Sequence, residues 1–466
     1  MRSAPALIIA ALFIAEMTVT FEASMVYAAL PTLTRQFGDP LKVGWLITIH
    51  MLIAAATAPV VGRLGDIRGR KRLVLILLAL AFVGSVISAV STNFGVVLVG
   101  RALQGLSAVV LPLSIGIVRE SLPEDKVPMG IGVLTTALGA GAAMGLVAGG
   151  VIVDNLDWHA LFWASAALLA LSVAAIAAFV PDRPGTPTRR PIDWVEGLLP
   201  VPAIGLLLYA LGATKQAGWF APQVLAMLAV SVALFALWGQ RSLRAEEPFV
   251  DLRLFRDRDF AVANLITVLL GMGTMQIVYV FSSYMQSPGW TAVGLGLSAT
   301  VAGLAKLPSN LLSFFAGPFA GWLIRRFGNR LTVTAGALLA AAGWCAAMLL
   351  PGELKLVIAL LCVISFGTTI LQAAIPNIVV ASVPQERTSE AIGSMQVVRG
   401  IAAAVGAQVI AMLLASRTVA APEGGANFPA PSSYLLTMAV MAGLTLAGAA
   451  CAALLRGSKS PQVARA

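Results

Sequence analysis

Charge is scarce in this chain. Asp, Glu, Lys and Arg make up 11% of its 466 residues, where soluble domains carry about 25%. Such a chain is no soluble enzyme. Soluble cores stop growing at roughly 250–300 residues, and this sequence is 59% hydrophobic with a mean hydropathy of +0.90. Histidine is nearly missing, with only His50 and His159, so there is no His cluster for a metal. The three cysteines, Cys345, Cys362 and Cys451, sit in apolar runs at spacings that match neither a metal motif nor a disulfide framework. No G-x-S-x-G and no G-x-x-x-x-G-K-[ST] occurs. Neither a hydrolase elbow nor a nucleotide-driven pump is expected of this chain alone.

Long apolar runs are what it has. A membrane helix needs about 20 predominantly apolar residues. Fourteen runs qualify: 7–30, 43–62, 73–91, 94–117, 129–152, 160–180, 197–214, 221–239, 260–285, 292–315, 331–350, 355–379, 389–415 and 433–455. The predicted fold is therefore an all-α polytopic membrane protein. The 44 glycines and 25 prolines fit, since both are commoner in membrane helices than in soluble ones. Arg2 before the first run resembles a signal peptide, but the run is long and continues to Pro31 without a cleavage signal, so it reads as an uncleaved first span.

The net charge of +10 reads as topology rather than nucleic-acid binding. With the N-terminus inside, the cytoplasmic segments hold 23 of the 31 Lys and Arg, and the outer loops hold 5. Positive loops stay inside, so both ends are placed in the cytoplasm. Arg101, Lys306 and Arg399 remain within spans.

Two acids also lie well inside a span, Glu16 and Glu22. An acid in hydrocarbon costs roughly 2.5–3.5 kcal/mol on the insertion scale, which makes each a functional candidate. Six residues on a helix turn the chain by about 600°, so the two face different directions. Glu22 is the candidate for a central cavity and Glu16 points toward a neighbouring helix.

Several motifs together resemble the major facilitator superfamily, in its fourteen-span drug:proton antiporter branch. GRLGDIRGRKR at 62–72 resembles the family's signature loop after span 2. RALQG at 101–105 is similar to the buried R-x-x-Q-G of span 4. GAAMGLVAGG at 141–150 resembles the antiporter motif of span 5, with Leu146 at its usual proline, and WHALFW follows at 158–163. FEASMVYAALP at 21–31 resembles the branch's span 1 motif, with Glu22 at the acid position. EEPFVDLRLFRDRDF at 246–260 and YMQ at 284–286 fit the branch, and GWLIRRFGNR at 321–330 looks like a worn second copy of the loop motif.

The resemblance implies the major facilitator fold: a six-helix bundle over 1–184, two extra spans with linkers over 185–255, and a second six-helix bundle over 256–466. It implies proton coupling through Glu22 and Arg101, to which Glu16 is added as the other acid inside a span. Conformational gating would fall on Gly62, Asp66, Gly69, Arg70, Gly141, Gly145, Gly149 and Gly150. Polar residues in the spans, Gln104, Gln276, Tyr279, Lys306, Asn310, Gln372, Asn377, Gln396 and Arg399, are the candidates for substrate contacts. Lys306 and Arg399 together leave room for an anionic or zwitterionic group. The expected activity is proton-driven export of lipophilic or amphipathic small molecules. The alternative is a facilitator carrying one nutrient or biosynthetic product, with proton symport as one option, and a membrane enzyme or receptor has no supporting motif. Partners are the substrate, protons and the bilayer, with no nucleotide, nucleic acid or cofactor, in a monomer. Short loops and abundant Ala and Gly suggest a bacterial inner membrane.

The charge bias makes a direct prediction. A cysteine placed at Thr186 should react with a membrane-impermeant reagent from the cytoplasmic side, and one at Gly425 from the outside. Labelling of both from one side would overturn the topology.

Overall fold

A computed structural model describes residues 5–184, 193–218, 220–245, 248, 250–349, 352–384, 387–422 and 426–455. Thr186 and Gly425 lie outside them, as does the side chain of Asp66. The chain is almost wholly helical. The helices are α1 (Pro5–Ala28), α2 (Leu30–Phe37), α3 (Pro40–Arg68), α4 (Arg70–Ala89), α5 (Phe94–Gly105), α6 (Val110–Ser121), α7 (Val127–Asn155), α8 (His159–Phe179), α9 (Trp194–Leu198), α10 (Pro200–Ala217), α11 (Pro222–Arg244), α12 (Arg258–Met272), α13 (Ile277–Gln286), α14 (Ala299–Ala347), α15 (Leu354–Ala381), α16 (Thr388–Leu414) and α17 (Pro431–Ala452). The one sheet among the described residues is a hairpin of β1 (Thr418–Ala420) and β2 (Asn427–Pro429), antiparallel with Val419 opposite Phe428.

Sequence signals account for the helix ends. Asp39 caps α3 by accepting from Leu41 N at 2.8 Å, ahead of Pro40 at the first position. Asn93 caps α5 through Gly95 N and Val96 N. Asp257 caps α12 through Phe260 N. Gly69 joins α3 to α4 at φ 94°, where a side chain is disfavoured.

Thirteen stretches among the described residues are long and apolar enough to cross a membrane, where the sequence predicts fourteen. The difference lies in α14. Its 49 residues would extend ~74 Å at 1.5 Å each, far beyond one hydrocarbon core of about 30 Å. It is interrupted by non-helical Gly328 at φ 78° and ψ 170°, between the runs predicted at 292–315 and 331–350.

Two predicted spans are broken midway. α5 and α6 are separated by a 3-10 turn over Ser107–Val109. Pro112 follows one turn later, lacks an N–H for the carbonyl of Ala108 and crowds it. α12 and α13 are separated at Gly273 by a 3-10 turn over Thr274–Gln276. There the Gln276 side chain enters the helix ladder, donating through Nε2 to Gly271 O and Ala403 O, each at 2.9 Å.

Two compact units form. The first comprises Met1–Trp238 with Ser298–Leu304 and Gly424–Ala426; the second comprises Gly239–Leu297, Ala305–Glu423 and Asn427–Ala466. In the first, α1, α4, α6 and α8 share an apolar core that includes Leu12, Val74, Leu78, Leu113, Ile117, Leu169 and Ile176. In the second, Phe260, Ile266, Val333, Leu371, Ile378 and Met395 form the corresponding cluster. Outward faces stay apolar, as at Ile76, Leu80 and Val83 on α4, which suits a lipid solvent.

The most extensive helix packing in the first unit is α1 against α7. A Cβ at Gly141 would collide with Met17 O and Thr20 Oγ1; at Gly145 it would lie 2.7 Å from Phe21 O; at Gly149 it would lie 3.4 Å from Met25 Cα. Glycines four apart on α7 thus meet residues four apart on α1, a small-residue face that lets backbones approach. The second unit repeats the device, with Gly406 against Gly271 O and Gly336 against Gly367 O.

Gly141→Ala should therefore destabilise the protein by about 1–3 kcal/mol through overpacking. Gly443 has nothing within reach of an added Cβ, so Gly443→Ala should be neutral or slightly stabilising. Thermal unfolding of the purified proteins in detergent separates the two, and equal shifts would refute the ladder's role.

Candidate functional site

Arg101 organises the first unit's polar centre. It is fully enclosed, 1% exposed, near the end of α5. Its Nε donates to Leu46 O of α3 at 3.1 Å, and its Nη1 donates to Glu22 O of α1 at 3.2 Å and to Gln104 Oε1 at 2.8 Å. The partners are two backbone carbonyls and an amide, so the guanidinium ties three helices together without an ion pair to the Glu22 carboxyl. A planar fork suits this divergent set.

Gln104 extends the network. Its Nε2 donates to Ser85 Oγ of α4 at 2.6 Å, and Ser85 Oγ donates to Glu22 Oε1 at 3.1 Å. Ser165 Oγ of α8 donates to the same oxygen at 2.8 Å, and Ser107 Oγ donates to Oε2 at 2.8 Å. The Glu22 carboxyl is fully buried and receives hydroxyl donors from three different segments. The break after α5 is what turns Ser107 inward. Glu22 is thus enclosed by its own unit rather than opened to a cavity, and Gln104 belongs to this network.

Glu16 faces elsewhere, as its six-residue offset requires. Its Oε1 accepts from Ser114 Oγ of α6 at 2.7 Å, and its Oε2 has no partner among the described residues. Both acids are 0% exposed.

The second unit holds a cavity of about 370 Å³, lined in part by Lys306, Asn310, Gln372 and Arg399. Lys306 does not reach for the bilayer surface. Its Nζ donates to Ser309 Oγ and Ser365 Oγ, each at 2.7 Å, and the residue is 7% exposed. Arg399 donates through Nη2 to Gln372 Oε1 at 2.6 Å. Gln276 is spent on the α12 break. Tyr279 is buried beside it, outside the cavity lining. Asn377 is exposed and donates to Ala373 O of its own helix, and Gln396 is exposed.

The loop residues divide similarly. Gly62 has open space around it. Arg70 pairs with Glu120 of α6 and packs over Gly116, where a Cβ would meet its guanidinium. Gly150 packs on Ala299. Next to it, Asp154 caps α14, accepting from Ala299 N at 3.0 Å, Thr300 N at 2.8 Å and Thr300 Oγ1 at 2.6 Å.

The sequence reading missed the serines around the two acids and Asp154. A lone Ser in an apolar helix looks like a packing residue. Its only signal is being small and polar where everything around it is apolar. Asp154 sits at a span end, where charge is ordinary.

Comparison with known proteins fixes the family. The sequence matches the Major Facilitator Superfamily over residues 12–407 and again over 263–465. It is 29% identical over 411 residues to the multidrug resistance protein Stp of Mycobacterium tuberculosis, covering 85% of this chain and 74% of that one. It is 25% identical over 421 residues to the tetracenomycin C resistance and export protein of Streptomyces glaucescens, covering 90% and 77%. The fold resembles the POT family transporter PepTSo, with a TM-score of 0.67 over 97% of each chain at 13% identity. The chain belongs to the Major Facilitator Superfamily and is a multi-span membrane transporter, not an enzyme.

Proposed function

We propose that this transporter exports lipophilic or amphipathic small molecules in exchange for protons, with Glu22 as the proton carrier, Arg101 coupling it to the helices and Glu16 in a lesser role. The observation that carries the reading is the enclosed Glu22 carboxyl, held by Ser85, Ser107 and Ser165 and joined through Ser85 and Gln104 to Arg101. Desolvation favours the neutral acid and a nearby cation favours the carboxylate. A group between these influences changes its proton when small motions alter either. The export activities named for the relatives support the direction, as does the glycine ladder at 141–149, which resembles the antiporter motif apart from Leu146 at its proline.

Proton and substrate need not touch. Exchange requires only that they bind two conformations with opposite preference, because coupling is reciprocal. A potential of 100 mV supplies about 2.3 kcal/mol per charge moved. The proton gradient is the energy source, and no cofactor takes part.

Glu22→Gln fixes the side chain in a neutral form. In proteoliposomes with an imposed proton gradient, it should reduce uphill transport to the level of protein-free vesicles while the protein stays folded. Glu16→Gln should be milder. Undiminished uphill transport by Glu22→Gln would exclude the role.

Arg101→Ala removes three hydrogen bonds from enclosed acceptors, and Arg101→Lys keeps the charge without the fork. Both should slow substrate-induced proton flux, the alanine variant more. Parent-like flux in Arg101→Ala would refute the assignment.

A further inference from the structure

The second unit's cavity contains two cationic side chains and no acid. Lys306 and Arg399 line it, together with Asn310, Thr369 and Gln372, and neither Asp nor Glu takes part in the lining. Both cations are solvated only by neutral groups: Lys306 by two serine hydroxyls and Arg399 by an amide oxygen. Among the described residues neither forms an ion pair. Two acids of this unit are engaged elsewhere: Asp251 pairs with Arg387, and Asp257 caps α12.

Like charges sharing one cavity at membrane depth repel, and each also loses its water. Buried charges ordinarily have an opposite partner. Here no such partner is found among the described residues, while the space for one is present. The volume of about 370 Å³ falls within the range of small-molecule sites, roughly 300–1,000 Å³. A narrow apolar recess, lined by Leu270, Met275, Ile375 and Met395, adjoins Arg399 and Gln372. The cavity itself carries Met275, Ile277 and Val278 beside the two cations, so an occupant would meet both charge and apolar side chains.

We infer that this cavity selects an organic anion, a carboxylate or similar acid on an apolar body, whose charge lies between Lys306 and Arg399. Arg399 offers a planar fork for two carboxylate oxygens and Lys306 a point charge. Asn310 and Gln372 add neutral donors beside them. The inference rests on reading the chain as a small-molecule transporter, and it specifies the charge of what is carried.

The test uses a matched pair of probes, 2-naphthoate and 2-naphthylmethylammonium, which share the ring and differ in the sign of the charge. Binding to the full-length purified protein in detergent is measured by titration calorimetry, with protein-free micelles as the blank. The expected result is naphthoate binding at least about tenfold tighter than the ammonium probe. Lys306→Met and Arg399→Gln should each weaken naphthoate about tenfold or more and leave the ammonium probe unweakened. Lys306→Arg and Arg399→Lys should restore most of the lost affinity. Tighter binding of the cation, or binding of neither probe at millimolar concentration, overturns the inference. So do neutralised variants that unfold like the parent and bind naphthoate as well as it does. If they fail to fold, the preference of the parent between the two probes decides.

No proton gradient is present in this assay. Anion selection without gradient-driven transport would leave the site standing and remove only the exchange mechanism. Gradient-driven transport with a preference for the cationic probe would do the reverse.

Discussion

A guanidinium in an apolar interior must find acceptors, and what Arg101 finds determines the polar centre of the first unit. Two of its three hydrogen bonds end on backbone carbonyls, Leu46 O and Glu22 O. Helical carbonyls normally serve the residue four places on, so they accept this second bond in bifurcated fashion. The arrangement fixes α1, α3 and α5 by their main chains, which side-chain repacking cannot easily undo. The third bond orients Gln104, whose other end orients Ser85, whose hydroxyl reaches Glu22. Remove the guanidinium and the chain of orientation starts from nothing.

The glycine ladder is the other half of the same constraint. Serine hydroxyls reach a carboxyl on α1 only if the neighbouring helices come close. Gly141 and Gly145 allow α7 to lie directly on α1, and Gly84 and Gly100 do the same for α4 and α5. Close backbones and short polar side chains belong together here. A bulkier interface would hold the hydroxyls too far away and leave a buried carboxyl without donors, a costly arrangement.

Much of this was legible in the sequence. Hydropathy located the helices, because hydrocarbon demands an apolar run of fixed length wherever a chain crosses it. Rare charges in those runs located Glu16, Glu22, Arg101, Lys306 and Arg399, because each needs a reason to be there. The six-residue offset separated the two acids correctly. The breaks after α5 and α12 were not legible, since a run of apolar residues reads the same whether the helix is continuous or not. Pro112 gave a signal, but Gln276 acts through a side-chain contact with no local pattern. Gln104 and Gln276 look alike in composition, yet one serves a buried network and the other plugs a helix, a distinction made by tertiary neighbours alone. Asn377 and Gln396 were singled out by polarity, and both are exposed.

Hydrogen supply around Glu22 has a further consequence. Ser107 Oγ lies 2.8 Å from Glu22 Oε2 and 2.8 Å from Gln104 O, two acceptors for one hydrogen. A charged Glu22 claims that hydrogen. A neutral Glu22 with its proton on Oε2 becomes the donor, and Ser107 turns its hydrogen to the carbonyl. Ser85 and Ser165 face a comparable choice, being 3.0 Å from each other and both within reach of Oε1. A proton on Oε2 would thus reverse the polarity of the Ser107 bond, while Ser85 and Ser165 could still donate to Oε1. Such a reversal needs only the rotation of a hydroxyl, in a packing where helices held glycine to backbone leave side chains little room to swing.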